Sequence, residues 1–129
     1  MIANDLSHRI SFAHSFCTKK DRRYLGLLEE LTRIAGFAFN LEDDISSLTF
    51  GQRKLLEIIR ALLSQPKAVL IDEPAAGLNG AEIQNEIRLL QWATQHMGVG
   101  ILLIEHSMDM IMSVCQTITV LNFGCVIAC

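Results

Sequence analysis

Residues 68–74 read Ala68-Val69-Leu70-Ile71-Asp72-Glu73-Pro74, and residues 100–106 read Gly100-Ile101-Leu102-Leu103-Ile104-Glu105-His106. Each is a short apolar run that ends in titratable residues. Runs of this length after a turn suit buried parallel strands. In open α/β sheets, ligands sit at the C-terminal ends of the strands, where both runs carry their polar residues. Between the runs, Gly77 and Gly80 flank a turn, and Ile83, Ile87, Leu90 and Met97 mark the inner face of a helix ending near Gly98.

Upstream, the spacing predicts a helix from about Asp21 to Phe37, with Leu25, Leu28, Leu31 and Ile34 on one stripe. Asn40-Leu41-Glu42-Asp43-Asp44 reads as a polar loop. Thr49 then reads as an N-cap, and Gln52 three residues on completes a capping-box pattern. That helix runs to about Ser64, where Pro66 prevents its continuation. Downstream, Ser107 to Cys115 reads as helical. Thr117–Leu121 and Cys125–Ala128 read as strands around a turn at Asn122-Phe123-Gly124. The chain is thus helical first and α/β second, with no internal repeat.

With 129 residues, half of them apolar, the chain is the size of one modest domain and is not disordered by composition. Its net charge of -3 points to no partner, but the distribution is uneven. Residues 1–67 hold ten of the eleven basic residues against eight acids, and residues 68–129 hold Arg88 alone against six. The run Lys19-Lys20-Asp21-Arg22-Arg23 is broken by an acid and few aromatics interleave, so it reads as a solvated helix face and not a nucleic-acid arm. Cys17, Cys115, Cys125 and Cys129 form no C-x-x-C pair and read as buried thiols of a reducing compartment. His8, His14, His96 and His106 make no ligand cluster with them. No signal peptide is visible. Met108–Cys129 is long and apolar-rich, but Asp109, Gln116, Asn122 and Gly124 interrupt it, which favours helix plus strand over a membrane span.

Three places carry chemistry. A strand ending in Asp72-Glu73 suits nucleotide hydrolysis: the first acid can hold magnesium through water, and the second can orient and deprotonate an attacking water. The turn Thr49-Phe50-Gly51-Gln52 opens a helix whose N-terminal N–H groups favour an anion, and Gly51 allows close backbone approach. His106 at a strand end can donate a hydrogen bond to a terminal phosphate. Taken singly, these are a solvated turn, a plain N-cap and a surface histidine. Their order and spacing give them weight: Asp72 lies 20 positions after Gln52, and His106 lies 33 after Glu73.

Over roughly residues 20–129 this order resembles the ATP-binding cassette (ABC) ATPases. The resemblance is carried by Gly51-Gln52-Arg53-Lys54-Leu55-Leu56-Glu57-Ile58-Ile59-Arg60-Ala61-Leu62, by Asp72-Glu73-Pro74-Ala75-Ala76-Gly77-Leu78-Asn79 and by Leu103-Ile104-Glu105-His106-Ser107-Met108. These segments are similar to the ATP-binding subunits of bacterial branched-chain amino acid importers. Phe50 and Asn79 stand where the wider family usually has glycine and aspartate, and both fit that narrower group.

The resemblance implies an α/β fold, a partial P-loop NTPase of ABC type. Residues 1–66 would form a helical subdomain up to and including the signature helix, and residues 67–129 the C-terminal part of the RecA-like α/β core. Thr49, Phe50, Gly51 and Gln52 would be the signature, which serves ATP held by the other subunit of a dimer. Asp72 would be the magnesium-side acid, Glu73 the catalytic base and His106 the switch histidine. Leu78 and Asn79 would lie in the loop crossing the dimer interface. The implied cofactors are ATP and Mg2+. The implied partners are a second ATP-binding subunit, as homo- or heterodimer, and transmembrane permease subunits that hold the chain at the cytoplasmic face of the membrane. No nucleic acid is expected.

A phosphate loop needs G-x-x-x-x-G-K-S/T, whose glycine N–H groups wrap the phosphates. None of Lys19, Lys20, Lys54 and Lys67 follows a glycine or precedes serine or threonine. The expectation is therefore a chain that resembles only the later part of such a domain and does not hydrolyse ATP alone. A non-catalytic interaction protein offering its signature to an intact partner, or a decayed product, is the alternative. The two apolar runs are expected to show exposed edges and faces, with marginal stability or aggregation as the consequence.

Overall fold

The structure is a computed structural model and describes residues 22–38 and 44–129. Expectations that fall on residues 1–21 (most of the basic run, Cys17, His8, His14) and on 39–43 lie outside the described residues. The chain order is α1 (Arg22–Ile34), a 3-10 turn (Ile45–Ser47), α2 (Phe50–Leu63), β1 (Ala68–Asp72), α3 (Gly80–Trp92), a π-helical turn (Ala93–Met97), β2 (Gly100–Ile104), α4 (Met108–Val114), β3 (Val120–Asn122) and β4 (Cys125–Ala128).

Local chemistry sets the helix starts. At α2 the Thr49 hydroxyl accepts from the Gln52 backbone N–H at 3.2 Å, and the Gln52 side-chain Oε1 accepts from the Thr49 N–H at 2.9 Å. This reciprocal pairing satisfies donors that the first helical turn leaves open. The same box recurs at α3, where Asn79 Oδ1 accepts from Ala81 and Glu82, and Glu82 Oε2 accepts from the Asn79 N–H. The α-helical part of α3 ends at Trp92, earlier than the spacing suggests. The π-helical turn carries the chain on to Gly98, whose φ of 65° stops it without a Cβ penalty.

The main core lies between three helices and one sheet face. Leu28, Leu31 and Ala35 meet Leu55, Ile59, Leu62 and Leu63 of α2 and Leu89, Leu90 and Ala93. Leu25 was expected on the same stripe but is exposed. A three-residue step falls about 60° short of a full helical turn, so a strict run of threes walks around the helix and its first member leaves the buried face. Thr32 is buried instead, its hydroxyl donating to the Leu28 carbonyl at 2.9 Å.

β1 and β2 pair in parallel, Ala68 opposite Gly100 through Asp72 opposite Ile104. Val69, Ile71 and Ile101 pack on the main core, and Leu103 on a second cluster of Ala75, Ile87 and Met110. The opposite face is open: Leu70 is 76% exposed, Leu102 61% and Ile104 60%. The reading of the runs as buried strands holds for one face only, and the exposed face expected for a chain resembling only the later part of such a domain is present. Among the described residues helices cover only one face, so burial alternates with the two-residue pleat.

β3 and β4 form a separate antiparallel hairpin with an irregularity between Val120 and Leu121. Thr117–Thr119, expected in the strand, lie before it, because the ladder begins where Val120 pairs with Ala128. Cys125 and Cys129 are exposed and Cys115 is half-buried, so these thiols are not the core residues expected. The hairpin residues are exposed on both faces, which leaves nothing to enclose them. Among the described residues no helix is long and apolar enough to cross a membrane.

Candidate functional site

The parallel pair delivers the polar ends of β1 and β2 to one place. Asp72 closes β1 opposite Ile104, and Glu73 and Glu105 are the next residues of the two strands. The Glu73 N–H donates to the Ile104 carbonyl at 2.8 Å, which extends the ladder by one step. Glu73 itself turns into the left-handed region, φ 44°. For a residue with a Cβ this costs about 1–2 kcal/mol and needs support from its surroundings. The turn leaves the Glu73 carboxylate exposed, with Oε1 3.8 Å from His106 Nδ1. Asp72, Glu73 and His106 are thus brought to one exposed edge.

Glu105 holds the two turns together. Its side chain is fully enclosed: Oε1 accepts from the His106 N–H at 2.8 Å and the Ser107 N–H at 3.0 Å, and Oε2 accepts from the Ala75 N–H at 3.0 Å. Burial pushes this carboxyl up, but the N–H groups of Ser107, Ala75 and His106, with the nearby His106 ring, outweigh it and hold the group below its ordinary value. His106 Nδ1 lies 3.3 Å from the same Oε1.

α2 approaches this loop from the other side. Lys54 Nζ donates to the carbonyls of Glu73 at 3.2 Å, Pro74 at 3.0 Å and Ala76 at 2.8 Å. Its ammonium lies 5.3 Å from the centre of the Phe50 ring. That ring in turn lies against Gly77, where an added Cβ would come within 3.1 Å of it. Gly77 has φ 79°, so glycine answers both the turn and the close approach. Gly51 is buried against the Glu82 carboxylate, which joins the start of α2 to the start of α3. Leu78 donates its N–H to the Ala75 carbonyl at 3.1 Å and leads into the Asn79 cap.

Below the loop, Glu86 of α3 is 0% exposed, and neither carboxyl oxygen has a hydrogen-bond partner. Burial pushes its pKa up to about 7, Lys54 pulls it down and Glu105 pushes it up. Sequence reading missed Lys54 and Glu86 as members of this region, and it placed Glu105 at the strand end without its tie to Ala75. Lys54 was legible only as half of a basic pair. Glu86 follows Ile83 by three on the inner face of α3, a position at which an acid is a signal in itself.

The chain offers one part of a magnesium-nucleotide site, a carboxylate, and not the glycine-rich loop that would hold the phosphates. Magnesium at phosphates takes one or two carboxylates plus phosphate and water oxygens. The exposed Asp72 at the strand end offers one such carboxylate. Among the described residues no cluster of three or more His, Cys, Asp or Glu converges on a metal.

Comparisons with known proteins bear on the family and the fold. The family model described as ABC transporter matches residues 3–76, more than half of the chain. The chain is 38% identical over 100 residues to the high-affinity branched-chain amino acid transport ATP-binding protein LivG of Escherichia coli K12, covering 78% of this chain and 35% of LivG. It is 29% identical over 123 residues to the ribose import ATP-binding protein RbsA of Bacillus licheniformis, covering 95% of this chain and 24% of RbsA. The chain therefore spans about a third or less of the length of these relatives. Its structure superposes on the ADP conformation of MJ1267, an ATP-binding cassette of an ABC transporter, with a TM-score of 0.67 and 26% identity, over 84% of this chain and 42% of that one. A family model matched over more than half of the chain and a shared fold lead to one assignment: the chain belongs to the ABC transporter family.

Proposed function

We propose that the chain supplies part of an ATP-hydrolysing site in an ABC importer. One observation carries the proposal: Asp72, Glu73 and His106 gather at the ends of two parallel strands, and the helix opened by Thr49-Phe50-Gly51-Gln52 grips the same loop. In this reading Asp72 faces a magnesium ion through water, and the ion would supply charge neutralisation at the phosphates. Glu73 orients and deprotonates the attacking water. His106 reports on the terminal phosphate, within reach of Glu73. The turn Thr49–Gln52 faces a nucleotide held by a second ATP-binding subunit, with the Phe50 and Gly51 N–H groups being those the capping box does not use, and Leu78 and Asn79 lie at that interface.

The 129 residues contain no phosphate loop, so the site is completed by one from outside them. Branched-chain amino acids are the proposed cargo, on the strength of the likeness to LivG. The likeness to RbsA marks how far cargo varies on this scaffold. Permease subunits would hold the assembly at the cytoplasmic face of the membrane.

The test is association. The chain is mixed with a hydrolysis-arrested ABC ATP-binding protein that has an intact phosphate loop, and sedimentation is followed with and without ATP. Association that requires ATP is the expected result. Equal behaviour in both conditions would remove the shared-site reading. ATP-dependent association, with no turnover when the same partner is used in its hydrolysis-competent form, would favour a non-catalytic interaction protein.

A further inference from the structure

We propose that Lys54 is a positioning residue: it holds Glu73 in its left-handed backbone conformation and ties the aim of that carboxylate to the turn that opens α2. The functional consequence rests on the reading of Glu73 as the base. The clamp itself rests on geometry.

An ammonium has three N–H donors and no acceptor, and all three of Lys54 are engaged by backbone carbonyls of one short loop. Charge-assisted bonds of this kind are stronger than neutral ones. One of the three goes to Glu73, the residue with φ 44°. Both backbone polar groups of Glu73 are therefore fixed, the N–H by Ile104 and the carbonyl by Lys54 together with the Ala76 N–H, which donates to it at 3.2 Å. A strained backbone persists where its neighbours over-determine it. Glu105 secures the next part of the loop through the Ala75 N–H. Glu105 ties the loop to the histidine turn, and Lys54 ties it to α2.

Lys54 lies four residues after Phe50, on the same face of α2. Its ammonium sits near the Phe50 ring, and that ring lies against Gly77 at the far end of the loop. A shift of the first turn of α2 thus reaches the loop through both the ring and the ammonium. Without the ammonium, the carbonyls of Glu73, Pro74 and Ala76 lose their shared donor and Glu73 keeps only the Ala76 turn bond on its carbonyl; Glu73 then relaxes toward negative φ, which carries its carboxylate away from His106.

The clamp is tested in the isotope-labelled 129-residue chain by NMR. Couplings across the hydrogen bonds from Lys54 Nζ to the carbonyl carbons of Glu73, Pro74 and Ala76 are expected in the wild-type chain. Their absence would overturn the clamp, even if a variant failed to fold. In Lys54→Met the Glu73 Cα and Cβ shifts should leave left-handed values, and Lys54→Arg should restore them. Unchanged Glu73 shifts in Lys54→Met would also overturn it. In an assembly that turns over ATP, Lys54→Met should lower kcat by about 10- to 100-fold with KM held, and Lys54→Arg should recover part of the loss. An unchanged kcat would overturn the positioning role. If the wild-type assembly shows no turnover, the hydrolytic reading fails, and the couplings and Glu73 shifts still decide the clamp.

Discussion

The loop from Glu73 to Gly77 and the hairpin of β3 and β4 are both short, and they are held by opposite means. The loop is fixed from three directions: Ile104 on one backbone N–H, Glu105 on another, and Lys54 on three carbonyls. The hairpin has its own ladder and no side chain buried on either face. An isolated two-stranded hairpin is marginal in water, whereas converging charge-assisted bonds hold a strained turn in place. Polar order is thus concentrated where the acids and the histidine meet, and a substitution should be felt there far more than in the hairpin or on the open sheet face.

The largest expected effect is at the buried acid below the loop. With its folded pKa at about 7 and an ordinary value of 4.5, Glu86 binds its proton more tightly in the folded chain. Its favourable contribution is complete below the unfolded pKa and is lost as pH rises from about 4.5 to 7, a cost of about 3 kcal/mol above that window. Glu86→Gln should therefore unfold later than wild type at pH 8 and much like it at pH 4. Urea unfolding at the two pH values reads this, and equal differences at both would show that the carboxyl is not held neutral.

Next is the tie between the two turns. Glu105→Ala leaves the N–H groups of Ala75, His106 and Ser107 without their acceptor, at a cost of about 2–3 kcal/mol. Hydrogen exchange should speed up at Ala75 and His106 and stay unchanged at Leu121 and Val126. A uniform acceleration would mean that loop and hairpin open together and are not held by separate means. Thr49→Ala removes one half of the α2 capping box and should cost about 1 kcal/mol in thermal unfolding. The smallest effect belongs to the open face. Leu102→Lys should change stability by less than about 0.5 kcal/mol and raise solubility, since Leu102 is largely exposed. A large loss of stability would mean that this face is covered in the folded chain.

Local chemistry was legible in the sequence, and chemistry that joins distant segments was not. The Thr49–Gln52 box is written within four residues, and the structure forms both of its bonds. The two strands were legible as apolar runs, and an open face was expected from the missing phosphate-loop half, but which side chains fall on it, Leu70 and Leu102, depends on the pleat and on where the helices lie. Asp72, Glu73 and His106 could be picked out because they end strands. Lys54 reaches carbonyls 19 to 22 residues away, and Glu105 an N–H 30 residues away. Neither contact has a periodic signature. Leu25 shows the limit of counting in threes, and Cys125 and Cys129 show that apolar company in sequence does not guarantee burial.

The most direct test of the account is ATP turnover by Glu73→Gln in an assembly where a phosphate loop completes the site. The amide keeps the shape of the side chain and removes its basicity. ATP binding within about twofold of wild type, with hydrolysis reduced by about 10²-fold or more, is the predicted result. Turnover at the wild-type rate with binding intact would contradict the assignment of Glu73 as the base, and with it the reading of this loop as the catalytic edge of the site.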